Sequence, residues 1–275
     1  MATGSRHAIF VRVNPVTASD ILRSSATAYD SFAYAYNLHW GPTSLAWVRW
    51  LGALIVPRLR AGVRILDLCC GTGQLSAELC RRGFRMTGLD GSRAMLRYAH
   101  ENAPDVPLIQ ADVRQFGLRP RFDAVLCVFD SLNHLLASED LSRAFQSVFA
   151  CLRPGGWFLF DVNTEIGYVS HWNGISEMMA DDHRVRTRSD YDTGKHLGIF
   201  KANVERNGPD GWAEEEVILL QRWHSDSQIQ RALKGAGFDS VEVFGVEGDT
   251  LATGNLERAE RAFYLCRRPR PARRR

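Results

Sequence analysis

The chain has 275 residues, 45% of them hydrophobic and 24% charged, the make-up of a globular protein long enough for one sizeable core. Its formal net charge of +3 misleads, because the closing stretch "RRPRPARRR" (267–275) holds six arginines and no acid. Without those six, 28 basic residues face 31 acidic ones, so the body is mildly acidic, and contact with nucleic acid or an anionic membrane would fall to the tail.

The basic tail is expected to be a solvated, disordered terminus. No apolar run approaches the roughly 18 residues of a membrane helix, and "HAIFVRVNP" lacks a signal-peptide layout. The cysteines, at 69, 70, 80, 127, 151 and 266, form no C-x-x-C pair and read as reduced thiols of a cytoplasmic protein. Cys69 and Cys70 at a strand end point to opposite faces, which argues against a shared metal; no metal site is expected.

Residues 17–60 read mostly as helix. "TSLAWVRWLGALIVPRL" has apolar residues at helical spacing and ends near Pro57. An alternation begins at residue 63. "VRILDL" reads as a strand, "GQLSAELCRRG" as a helix ending at Gly83, and "FRMTGLD" as a strand. "SRAMLRYAHENA" is a helix with Ser92 as N-cap, followed by the strands "VPLIQAD" and "FDAVLCVFD". "SEDLSRAFQSVFACLRPGG" is a helix stopped by Pro154 and Gly155, before the strand "WFLFDVN". Such β-α repetition calls for a parallel sheet with helices on both faces. After residue 165 the pattern changes. "HRVRTRSDYD", "HLGIFKANVERN" and "WAEEEVILLQRWHS" read as antiparallel strands with turn signals between them. The helix "SDSQIQRALKGAG" and the strands "FDSVEVFGV" and "RAFYLCRR" then resume the sheet.

A strand, a glycine turn and a helix make a nucleoside or dinucleotide site. Here "ILDLCCGTGQLS" (65–76) closes the first strand with Gly71-Thr72-Gly73. Asp90 ends the second strand, where a carboxylate accepts from both ribose hydroxyls. Asp112 ends the third, where one accepts from an adenine amino group. The third glycine of G-x-G-x-x-G is absent, which disfavours a dinucleotide.

The motifs "VRILDLCCGTG", "TGLDGSRAMLRYA", "IQADVRQF", "FDAVLCVFDSLNHL" and "LRPGGWFLFDVN", in this order, resemble those of class I S-adenosylmethionine-dependent methyltransferases. Cys69 stands where many members carry glycine. "YDSFAYAYNLHW" and the Ser131-to-Leu135 run resemble the small-molecule N-methyltransferases, of the glycine/sarcosine and amino-sugar type. The resemblance implies an α/β fold: a Rossmann-like, mostly parallel seven-stranded sheet with helices on both faces, a helical lid and an antiparallel β insertion. The divisions are 1–60 (lid), 61–165 (core), 166–224 (substrate-covering insertion), 225–266 (core completion) and 267–275 (tail).

It further implies S-adenosylmethionine as cofactor. Asp67, Cys69, Gly71 and Gly73 would line its methionine and ribose region, with Asp90 on the ribose, Met95 on the adenine and Asp112 with Val113 at the adenine edge. Phe129 would lie beside the methionine portion, with Tyr29 and Tyr36 closing over it. The expected reaction is in-line methyl transfer to a small molecule, favouring an amine nitrogen over oxygen or carbon; the alternative is a nucleic-acid-modifying enzyme anchored by its tail. His134 is the candidate base, because its neutral form is available near pH 7, and Tyr29 is a second catalytic candidate. Asp130 and Asn133 are close enough in sequence to position the ring or the substrate. His171, Tyr191, Arg222 and His224 are substrate-contact candidates from the insertion. The expected partner is a small-molecule acceptor, with no nucleic acid and no membrane; a homodimer is allowed.

Overall fold

Five apolar runs build the centre of one sheet: β1 (Arg64–Leu68), β2 (Arg85–Asp90), β3 (Leu108–Gln110), β4 (Phe122–Cys127) and β5 (Leu152–Asn163). All are paired in parallel. β10 (Ser240–Glu247), β11 (Thr250–Thr253) and β12 (Arg261–Arg267) extend it antiparallel. The computed structural model describes residues 25–271 apart from 120, 210 and 255. The strand order is β11-β10-β12-β5-β4-β1-β2-β3. This is eight strands rather than the seven expected, because β11 folds back on β10 as a hairpin that no alternating apolar run announces. The order reverses between β1 and β4, which opens a crevice at their carboxyl ends.

Strands buried on both faces need helices on both faces. α5 (Ser138–Cys151) and α7 (Asp226–Ala236) cover one with Leu141, Phe145, Val148, Ile229 and Leu233. α2 (Val48–Leu54) and α3 (Gln74–Arg81) cover the other with Leu51, Leu54, Leu75 and Leu79. α4 (Arg93–Asn102) carries the predicted cap: Ser92 Oγ accepts from the Met95 N–H at 3.1 Å. α6 (Glu165–His171), too short to show a period, follows β5.

A second, antiparallel sheet runs β6 (Ile175–Met179), β7 (His183–Asp192), β8 (Leu197–Gly208) and β9 (Gly211–Arg222). β6 is an addition to the expected three strands; as an edge strand with Ile175 and Met179 exposed, it lacks the alternation that marks the others. The inner face buries Val185, Ala202, Val204, Val217 and Leu219 at the period of two. That face packs on α1 (Ser25–His39), through Ala28, Phe32 and Ala35. α1 also touches the core, where Ala33 meets Ala94 and Met95. The helix is therefore held between two sheets. Residues 1–24 of the expected lid lie outside the described residues.

The tail departs from expectation over its first residues. Arg267 belongs to β12 and pairs with Trp157 and Ser240. The Arg268 guanidinium donates to the Phe149 and Leu152 carbonyls at 2.6 Å each. Helix ends leave carbonyls without intrahelical donors, and a cation there is favoured. Residues 272–275 lie outside the described residues.

Phe32 is 2% exposed between α1 and the second sheet. Phe32→Ala is expected to destabilise the protein by about 3–5 kcal/mol in a urea melt. A loss below about 1 kcal/mol would show that lid and insertion share no core.

Candidate functional site

The loop leaving β1 bends through three positive-φ residues: Cys69 at 61°, Gly71 at 53° and Gly73 at 83°. Cys69 thus takes a conformation that suits glycine. At Gly73 a Cβ would sit 3.0 Å from the Ala99 Cα, so this glycine lets α3 and α4 approach. Gly71 faces the lid: a Cβ there would lie 3.3 Å from the Tyr36 ring. Asp67, 2% exposed, accepts the Ser76 hydroxyl at 2.6 Å and so ties the strand to α3. Burial pushes its carboxyl up to about 7, against the pull of that hydrogen bond.

Asp90 is oriented by the backbone. Its Oδ2 accepts the Gly71 N–H and its Oδ1 the Ser92 N–H, both at 2.9 Å. Each oxygen keeps a lone pair for a ligand hydroxyl. Burial raises its pKa, with these backbone donors opposing. Asp112 is half-exposed, gripped by Arg114 through Nε at 2.9 Å and the backbone N–H at 2.8 Å. The Arg114 hydrogen bond lowers its pKa.

Past β4, Phe129 (φ 67°) and Asp130 (φ 50°) form a second left-handed bend without glycine. Buried Asp161 holds it, accepting the Phe129 N–H at 2.7 Å and the Asp130 N–H at 3.3 Å. Arg261 bonds the same carboxylate, reaches Asp130 Oδ1 at 3.0 Å and Asn163 Oδ1 at 2.8 Å, and lies over the Trp47 ring. Burial pushes the Asp161 carboxyl up against the pull of the guanidinium.

His134 lies in a 3-10 turn (Ser131–His134) just beyond this bend. Its Nδ1 is 2.8 Å from the Leu220 carbonyl, which only accepts, so Nδ1 carries the proton and Nε2 is a lone pair. The Tyr29 hydroxyl meets Nε2 at 3.0 Å. Burial lowers the His134 pKa and raises that of Tyr29. A neutral imidazole therefore faces a phenol that stays protonated.

These elements enclose a cavity of about 1020 Å³, beyond the usual size for a single small ligand. Of the sequence candidates, Tyr29, Tyr36, Cys69, Gly71, Asp90, Met95, Asp112, Val113, Phe129, Asp130, His134 and His171 line it. Asp67 and Gly73 sit behind the wall and shape the loop. Four substrate candidates do not line it. Asn133 is fully buried, its amide donating to the Arg222 carbonyl at 2.9 Å and accepting the Asn163 N–H at 3.0 Å. His224 Nε2 meets the Leu135 carbonyl at 2.8 Å. Tyr191 stacks on Tyr168, with centroids 4.9 Å apart. The Arg222 guanidinium turns to the Lys195 carbonyl. Asn133 and His224 thus find partners within the chain, whereas the buried Arg222 Nε has none. Sequence reasoning missed Arg261, Gln221, Trp172 and Phe200, which also line the cavity. Gln221 carried a readable signal: it follows Val217 and Leu219 at a period of two, a polar residue on the buried face.

The wall chemistry fits S-adenosylmethionine. Backbone at Gly71 and Gly91 runs so close under α1 that a Cβ would meet Tyr36 at 3.3 Å or Ala26 at 3.0 Å. Asp90 offers free lone pairs to a ribose diol, and Leu89, Met95 and Val113 offer an apolar bed for a base. Among the described residues no three His, Cys, Asp or Glu side chains gather to hold a metal ion, and no helix is long and apolar enough to cross a membrane.

Residues 65–156 match the methyltransferase domain family. A putative methyltransferase of Geobacillus sp. (strain WCH70), GWCH70_2453, is 34% identical over 87% of this chain and 99% of its own length. The dTDP-3-amino-3,6-dideoxy-alpha-D-glucopyranose N,N-dimethyltransferase of Streptomyces fradiae is 34% identical over 44% of this chain and 49% of its own. The chain spans about half the length of several curated relatives it matches. The fold matches the crystal structure of an S-adenosylmethionine-dependent methyltransferase from Clostridium acetobutylicum, with TM-score 0.65, 21% identity and coverage of 88% and 99%.

Arg261→Met would leave Asp161 buried without its cation. It is expected to cost about 3–5 kcal/mol of stability at neutral pH. The carboxyl's folded pKa is already raised, so the deficit relative to wild type narrows as pH falls toward the unfolded value of about 3.9. Melts showing a deficit that does not change between pH 7 and 5 would contradict this account.

Proposed function

This chain belongs to the S-adenosylmethionine-dependent methyltransferase family, and from that premise we propose that it methylates an amine nitrogen of a small molecule. The observation that carries the proposal is the neutral His134 imidazole, with its Nε2 lone pair turned to Tyr29 on the cavity wall. An amine reacts through a free lone pair, and an amine arriving as ammonium must first lose a proton. His134 Nε2 is placed to accept it, and Tyr29 to orient the nitrogen. The amino-sugar N,N-dimethyltransferase named above, a relative over part of the chain, has the same chemistry in its name.

S-adenosylmethionine, when bound, supplies a methyl group made electrophilic by its sulfonium. Asp90, Met95, Asp112 and Val113 would hold its nucleoside portion, and Cys69, Gly71, Phe129 and Tyr36 its amino-acid portion. α1 and the second sheet would close over both ligands. Aligned reactants away from water account for several kcal/mol of barrier reduction in favourable cases. Asp130 and His171 face the remaining volume and would contact the acceptor. Six unpaired cysteines suit a reducing, cytoplasmic setting.

Titration calorimetry is expected to detect S-adenosylhomocysteine binding and no NAD binding. Asp90→Ala should weaken the former by about 1.5–3 kcal/mol, roughly 10–150-fold; unchanged affinity would make Asp90 structural only. With amines, His134→Ala should lower single-turnover rates by about 10²–10⁴ and leave cofactor affinity intact. Because the His134 pKa is lowered, the acid limb of the wild-type rate profile should fall below the ordinary histidine value of about 6.5. Methylation of hydroxyl acceptors alone would overturn the amine assignment.

A further inference from the structure

We infer that Gln221 is a positioning residue that holds His134 as an unprotonated Nε2 acceptor, through an amide whose orientation its neighbours fix. Gln221 lies on β9 and is 4% exposed. Its Nε2 donates to Asp130 Oδ2 at 2.6 Å. A carboxylate only accepts, so this contact must be made by the NH2 group. Its Oε1 receives the Tyr168 hydroxyl at 2.8 Å and the Asn163 Nδ2 at 3.2 Å, two donors that agree with the same orientation. The amide cannot flip without pairing oxygen with oxygen at Asp130. Its NH2 therefore also faces His134 Nε2, at 3.2 Å.

The consequence for His134 is directional. With Nδ1 committed as donor to the Leu220 carbonyl, a protonated Nε2 would point its hydrogen at the Gln221 N–H. Neutral imidazole accepts from that group; imidazolium clashes with it. The other groups around the ring pull both ways. Tyr29 on α1 donates to Nε2. Asp130 favours the cation, but Arg261 bonds its Oδ1 and Gln221 its Oδ2. Asp161 is turned to Arg261 and the Phe129–Asp130 backbone, and the Tyr168 hydroxyl to Gln221. Gln221 thus opposes Asp130 twice, by occupying its oxygen and by presenting a donor where a second proton would go. The tautomer that results leaves Nε2 its single lone pair, which the Tyr29 hydroxyl and the Gln221 amide both address.

Histidine NMR on the full chain tests this without a substrate, so it stands apart from the amine assignment on which its kinetic meaning rests. In wild type the ¹⁵N shifts at pH 7 should report Nδ1–H with Nε2 bare. Gln221→Met, close in shape and without a donor, should raise the His134 titration midpoint by about one pH unit, within the usual range for a nearby carboxylate. Gln221→Met should also move the acid limb of the amine rate profile upward by the same amount, where a packing role would change stability alone. An Nε2–H tautomer in wild type overturns the inference, and that measurement stands even if the variant fails to fold. So does a folded Gln221→Met protein whose His134 titrates as in wild type. A shifted titration with no amine turnover would uphold the positioning role and count against the amine reading.

Discussion

The buried pair of Asp161 and Arg261 is the constraint on which the rest of the site depends. Asp161 is fully buried on β5, and Arg261 stands on the neighbouring antiparallel strand β12. Desolvating two charges costs several kcal/mol per ion and is offset only when the hydrogen bonds are saturated. Here the carboxylate accepts two backbone N–H groups and the guanidinium, and the guanidinium also donates to Asp130 and Asn163. The two N–H groups belong to Phe129 and Asp130, whose left-handed conformations cost about 1–3 kcal/mol each and persist only where surroundings over-determine them. The ion pair therefore holds the bend that turns the chain into the crevice between β1 and β4. It also reaches the N-terminal region, since Arg261 lies 4.9 Å over the Trp47 ring, which itself meets Phe129 at 4.6 Å.

Above that bend, α1 is fastened to both of its neighbours by different means. Toward the second sheet the contact is apolar, with Phe32 packed against Trp40 and Phe200. Toward the core it is polar at its edges. Asp30 accepts the Ser92 hydroxyl at 2.6 Å and the Ala94 N–H at 2.9 Å, so a carboxylate sits at the start of α4, where the helix dipole favours it. Asn37 accepts from Gln74 and Asn102. At the far end, His39 and His183 meet through their Nε2 atoms at 2.9 Å, and Tyr34 donates to Asp182. The helix is thus held to the second sheet by packing and by polar contacts at its end, and to the core by directional bonds beside a small apolar contact.

What was legible in the sequence follows from how local each signal is. Asp90 ends β2, and Gly71 and Asp112 lie just beyond β1 and β3; strand-then-turn is a pattern a few residues long. The residues that bind the site together act across sheets instead. Asp161 and Arg261 meet through the pairing of β5 with β12, and Gln221 reaches Asp130 beside them from β9 of the second sheet through its side chain. The same reasoning explains the four substrate candidates that do not line the cavity. Asn133, Tyr191, Arg222 and His224 are polar residues that need partners when buried. A sequence shows the need without showing whether backbone or ligand meets it. For His224 the answer is the Leu135 carbonyl; for His134 the backbone takes one ring nitrogen and leaves the other for chemistry. β6 and β11 were invisible for a different reason: both are short outer strands, where pairing rather than burial makes the strand.

Three separate parts of the chain meet at one lone pair. His134 comes from the core, Tyr29 from α1 and Gln221 from the second sheet, and each bonds Nε2 or fixes what does. No pair of these parts completes the arrangement. Without α1, Nε2 would lose its hydroxyl partner and gain water. Without β9, the ring would lose both the Leu220 carbonyl that sets its tautomer and the amide that holds its second nitrogen bare. The base proposed at His134 would be assembled only with lid and insertion docked, the same condition that would keep water from a reactive methyl donor. Positioning and exclusion thus rest on one set of contacts, and the apolar joint at Phe32 that fastens α1 to the second sheet serves both.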